Sequence, residues 1–113
     1  MAISLAKPWV PLTVDSVAQL PGHMGVFELG DSAGHIVLIG YAGGRSLFGL
    51  RGEIGAHLDS PDACLFRYEI TTAYLTRFQE LLMVHVANEG HIPAGNRLTE
   101  LPRLGKLSLA SGG

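Results

Sequence analysis

The chain has one cysteine, Cys64, among its 113 residues. A single thiol excludes an internal disulfide, which fits a reducing, cytoplasmic compartment. Long apolar runs are missing too. Stretches such as Ile36–Ile39 and Leu81–Val84 stop far short of the roughly 18 residues that a membrane span needs, so no membrane partner is expected. The opening MAISLAKPWVPLTVDS has one lysine and two prolines but no continuous apolar block with a small-residue cleavage site, and does not read as a secretory leader. A surplus of positive charge is also absent. Eight Lys and Arg stand against ten Asp and Glu, for a net charge of −2 and a pI near 6.2. Proteins that grip nucleic acid non-specifically do so by replacing counterions with clustered Lys and Arg. Tight non-specific nucleic-acid binding is therefore disfavoured, although a local basic patch is compatible with these numbers.

What is present describes a folded chain. Hydrophobic residues at 47% and charged ones at 16%, with a mean hydropathy of +0.27, exceed what a disordered segment carries, and the length allows one domain with a modest core. Residues 1–19, broken by Pro8 and Pro11, are expected as an extended N-terminal arm with one helical turn near Asp15–Gln19. The foldable unit is expected over 20–96, with 97–113 as a partly flexible C-terminal extension.

Within that unit, GVFEL and HIVLIG read as strands near 25–30 and 35–40, and the GDSAG turn between them pairs them as a hairpin. After the glycine-rich GYAGGRS, a helix is expected over 46–58, capped by Ser46 and holding Leu47, Leu50, Ile54 and Leu58 on one face. CLFRYEIT alternates as a third strand near 64–71. A long helix over 73–89 follows, with Leu75, Phe78, Leu82 and Val86 on its apolar face, Leu81 and His85 widening it, and Gly90 as the stop. The order gives an α+β domain: a small three-stranded antiparallel sheet flanked by helices.

LPGHMGVFEL, then a hairpin turn, VLIG, a helix ending in AHL, a third strand, and a helix carrying RFQELL that closes on IPAGN together resemble the GIY-YIG nuclease superfamily. The resemblance spans residues 20–96 in β-β-α-β-α order. Its two signature triplets correspond to Gly25-Val26-Phe27 and Leu38-Ile39-Gly40. It implies a cleft in which tyrosine hydroxyls activate water, a helical arginine steadies phosphate charge, a glutamate on the long helix holds a divalent metal, and an asparagine supports the site. On this chain the glutamate matches Glu80 and the asparagine Asn96. Magnesium would be the cofactor of an active form. Both signature tyrosines are replaced, by Phe27 and Leu38, which carry no hydroxyl and move no proton. Glu53 stands where the arginine is expected, with Arg51 on another helical face.

The resemblance therefore implies a degenerate domain that binds through a groove over the first two strands, with Phe27, Tyr41, Arg45, Arg51 and Asn96 as ligand-binding residues. The rival is a metal-dependent DNA endonuclease with a rearranged site, for which Tyr41, Arg51 and His57 are the catalytic candidates and Glu80 the metal ligand. A third reading is a small structural subunit that forms a homodimer through a sheet edge or helix face. The glycine-rich loop leading to a helix start also suits an anion, with Arg45 as its partner. Bland roles remain open for each: Asn96 as a turn cap, Tyr41 as packing, and His23, His35, His85 and His91, which lack metal-ligand spacing, as structural or surface groups.

Overall fold

The computed structural model describes residues 4–98. Its elements are β1 (Val10–Pro11), α1 (Val14–Ala18), β2 (Gly25–Gly30), β3 (Ile36–Ala42), α2 (Gly49–Gly55), β4 (Leu65–Ile70), α3 (Tyr74–Glu89) and α4 (Ala94–Leu98). All pairings are antiparallel and the strand order is β1-β4-β2-β3. The three expected strands form the body of the sheet, as the α+β reading requires. The two-residue β1 adds a fourth strand at the β4 edge, too short to show any alternation in sequence.

β2 is the central strand, and all six of its residues are buried. Its alternation sorts them between two layers. Phe27 and Leu29 face α1 and α2, packing with Val17, Leu20, Leu50, Ile54 and Phe66. Val26 faces α3 and joins Leu5, Ile39, Leu81 and Leu82. Residues 4–20 are thus part of the packed unit: Leu5, Val17 and Leu20 are core, and the expected division at residue 19 is not a structural break. The one expected turn of helix there is α1, closed by a capping box between Thr13 and Ser16. The expected flexibility of the C-terminal extension concerns residues that, beyond Leu98, lie outside the described ones.

Two helices differ in detail from their sequence patterns. α2 begins at Gly49, three residues after Ser46, and it is the His23 carbonyl that accepts from the Leu50 N–H at 2.9 Å. Leu47 is left outside the helix and exposed. In α3 the face turned to the sheet is centred on Leu81, Leu82 and His85, with Tyr74 and Phe78 partly buried, while Leu75 and Val86 are exposed. The buried face is thus shifted towards Leu81 and His85, and Arg77 on the same helix reaches Glu69 of β4 at 3.2 Å. Gly90, at φ +83°, ends it in the left-handed conformation that glycine adopts without strain.

Candidate functional site

β3 is an edge strand, and a cleft of about 770 Å³ wraps around its middle. α2 forms one wall and the first turn of α3 the other. Phe27, Leu38 and Gly40 line it from the α2 side of the sheet, and Tyr41, Tyr74 and Phe78 from the α3 side. The two triplets singled out in the sequence meet here, since Phe27 lies opposite Gly40 across the β2–β3 ladder. The Phe27 ring covers the Gly40 Cα so closely that a Cβ at Gly40 would collide with it. Phe27 therefore packs, and brings no hydroxyl to the cleft.

An aromatic cluster forms the second wall. The Tyr41 ring stacks on Tyr74 with centroids 5.6 Å apart and meets the edge of Phe78 at 5.0 Å. Tyr74 and Phe78 reach the same ring because they are four residues apart on α3. The Tyr74 hydroxyl accepts from the Gly44 N–H at 3.2 Å and pins the glycine-rich loop. Gly43 N–H donates to Ser46 Oγ at 3.0 Å. The N–H groups of Gly43 and Gly44 are therefore already satisfied within the fold, and the expected backbone anion cradle is not formed by them. Arg45, exposed between them and Ser46, has no hydrogen-bond or ion-pair partner among the described residues.

Three polar side chains complete the lining. Ser46 Oγ donates to Glu53 Oε2 at 2.9 Å, which fixes that carboxylate in the cleft. His57, one turn further along, sits with its ring centroid 6.2 Å from that of Phe27. Burial holds its pKa below the ordinary imidazole value, against the pull of Glu53, so the ring is neutral near pH 7. Asn96 is almost fully buried and binds the outer edge of β3: Oδ1 accepts from the Ile39 N–H and Nδ2 donates to the Ile39 carbonyl, both at 2.8 Å.

Of the residues expected at the site, the fold brings Phe27, Tyr41, Arg45, His57 and Asn96 to the cleft and leaves Arg51 and Glu80 out of its lining. Arg51 donates through Nε to the Leu20 carbonyl at 2.9 Å, which ties α2 to the end of the α1 segment. Glu80 pairs with Arg77 at 3.1 Å, and Arg77 also holds Glu69 at 3.2 Å. Arg51, expected in the binding groove, and Glu80, expected as a metal ligand, thus stand outside the cleft that holds Arg45 and Asn96. Glu80 is occupied by a cation on its own helix and does not present a metal ligand to the cleft. Among the described residues, no three His, Cys, Asp or Glu side chains are grouped to hold a metal ion. Ser46, Glu53, Tyr74 and Phe78 were not expected as lining. The i,i+4 spacings Glu53–His57 and Tyr74–Phe78 were the signals that put each pair on one helical face.

The chain belongs to a family described as a domain of unknown function, DUF7508, whose model matches residues 3–88. The matched region starts before the N-terminal strand and runs nearly to the end of α3, in keeping with the inclusion of the arm in the packed unit. No curated protein matches the chain.

Proposed function

We propose that the domain is a degenerate GIY-YIG-like module that binds an anionic ligand in the β3 cleft without standard nuclease chemistry. The observation that carries this reading is the pairing of an exposed Arg45, without a partner among the described residues, with a cleft whose two signature positions, Phe27 and Leu38, are apolar. A free guanidinium at the mouth attracts phosphate or carboxylate. The Tyr41–Tyr74 stack beside it offers a surface for a planar group. Phe27 and Leu38 provide no proton acceptor where the resemblance calls for one, and Glu53 adds negative charge that would oppose a phosphodiester deep in the cleft.

The ligand that combines these features is a ring joined to an anion, and phenyl phosphate is a direct probe. Titrated into nitrogen-15-labelled protein, it should shift the amide signals of Tyr41, Gly44 and Arg45, and the response should weaken by about tenfold or more in Arg45→Ala. Absence of a saturable response, or one unchanged by Arg45→Ala, contradicts the reading.

The rival, a divalent-metal-dependent DNA endonuclease with a rearranged site, has one observation in its favour. His57 is a neutral imidazole lining the cleft, four residues from Glu53 on the same helix. A neutral imidazole takes a proton from water, and one carboxylate serves magnesium when water and substrate phosphates fill the remaining positions. Glu53 would take the metal role that the resemblance gave to Glu80.

A further inference from the structure

On the α3 side of the sheet lies a separate cavity of about 370 Å³, within the size range of small-molecule sites. At its wall is an unusual group for a central strand: Glu28, 2% exposed, paired with Arg67 Nε at 2.7 Å. Burial raises the Glu28 pKa, and the Arg67 hydrogen bond opposes that shift. Such a pair adds little net stability, because desolvating two charges consumes most of their attraction. Arg67 is held from behind: its guanidinium lies 4.1 Å from the Trp9 ring centroid and Nη1 donates to the Lys7 carbonyl at 3.2 Å. Each partner keeps an unused valence. Among the described residues, Glu28 Oε2 and Arg67 Nη2 make no hydrogen bond. Neither is sealed away, since His85 Nε2 is the one fully buried side-chain polar atom without a partner among those residues. Both side chains line the cavity, whose remaining wall includes apolar Ile36, Leu81 and Val84 together with His35, His85, His91 and the exposed Glu89.

We infer that this cavity is a second binding site, for a small zwitterion of the α-amino-acid class, with its ammonium on Glu28 Oε2 and its carboxylate on Arg67 Nη2. Within the buried wall the Glu28–Arg67 pair carries one charge of each sign, Glu89 standing at an exposed position of the lining, so a ligand of net charge would leave one charge there uncompensated. The pair favours a molecule bearing both signs, because each contact is then a charge-assisted hydrogen bond. Ile36, Leu81 and Val84 take the side chain, which makes aliphatic amino acids the best fit. The site is on the other face of the sheet from the Phe27 and Leu38 side of the cleft and does not depend on how the cleft is read.

The test is a titration of nitrogen-15-labelled protein with each standard amino acid to about 10 mM. At least one aliphatic amino acid should give saturable shifts at Ile36, Arg67 and His85 without moving Gly44 or Arg45. Its N-acetylated, C-amidated derivative, which lacks both charges, should give none. Glu28→Gln should weaken binding by about tenfold or more while keeping the spectrum of a folded chain. If that variant unfolds, Asn88→Trp, at an exposed position lining the cavity, replaces it and should abolish the response by obstruction. No saturable shift with any amino acid, an equal response to the capped derivative, or binding undiminished in the folded variant overturns the inference.

Discussion

The carboxamide of Asn96 occupies both backbone polar groups of Ile39, the residue of β3 that lies opposite Glu28 in the ladder. Ile39 turns its N–H and carbonyl outward from an edge strand, where a further strand would otherwise bind. A side chain from α4 takes that place. Close approach of the α4 backbone makes it feasible, since a Cβ at Gly95 would come within 2.5 Å of the Val37 carbonyl oxygen. At Ile39 the edge of β3 therefore offers no free N–H or carbonyl to a further strand.

Asn96→Ala should therefore destabilise the fold by about 2–4 kcal/mol, because two buried backbone groups lose their partners at once. Asn96→Asp should also destabilise it, since a carboxylate accepts from the N–H but repels the carbonyl. Urea unfolding of the three proteins checks this. A change within about 0.5 kcal/mol for Asn96→Ala would show that water replaces the side chain at no cost.

Stability should fall as the medium is acidified from about pH 7.5 to pH 5.5. Burial holds His85 and His57 below their ordinary pKa, so the unfolded chain takes up protons near about pH 6.5 while the folded chain resists. More protons on the unfolded state means stability rises with pH through that window and levels off above it. Glu28 acts with the opposite sign: its raised pKa lets the folded chain protonate first, which offsets part of the loss as pH falls towards 4.5. Thermal midpoints across the range should show a shallower decline in His85→Leu than in the parent. An equal decline would mean that His85 does not contribute.

Gly40→Ala should cost about 1–3 kcal/mol, the range for forcing an extra carbon into a packed site. The new Cβ would lie 2.9 Å from Phe27 Cε2, and the Phe27 ring is itself buried and cannot swing away. Gly90→Ala is a useful comparison: nothing stands within 4 Å of its Cβ and only the positive φ resists it. If Gly40→Ala were as stable as the parent in denaturant unfolding, the Phe27–Gly40 packing would be looser than the structure has it.

The frame of the fold was legible because its signals are local. GVFEL, HIVLIG and CLFRYEIT alternate in the strand period, and Gly90 marks a helix end in sequence as it does in space. β1 was not, because two residues carry no period and pair with β4 only when Trp9 packs over Gly30 and Arg67. The site was half legible. Phe27, Tyr41 and Arg45 sit in or next to the strands whose pattern was clear, so their neighbourhood followed. Arg51 and Glu80 were misplaced because each finds another partner that holds it out of the cleft: for Arg51 the Leu20 carbonyl, distant in sequence, and for Glu80 the Arg77 side chain one turn back on α3. Glu53 stood out in sequence only as an obstacle to phosphate. Its contact with Ser46 depends on the loop turning back at Gly43, which no local pattern announces.

The most direct test of a binding cleft without standard nuclease chemistry is incubation of purified protein with supercoiled plasmid and branched DNA in Mg²⁺ or Mn²⁺, beside His57→Ala and Glu53→Ala. General acid–base assistance alone is worth about 10²–10⁴-fold, and loss of electrostatic stabilisation at the phosphate adds a comparable factor. The expected result is that no nicked, linear or resolved product accumulates above the protein-free control in any of the three samples. Cleavage by the parent that disappears in both variants would contradict it and establish the endonuclease with His57 and Glu53 as its working groups.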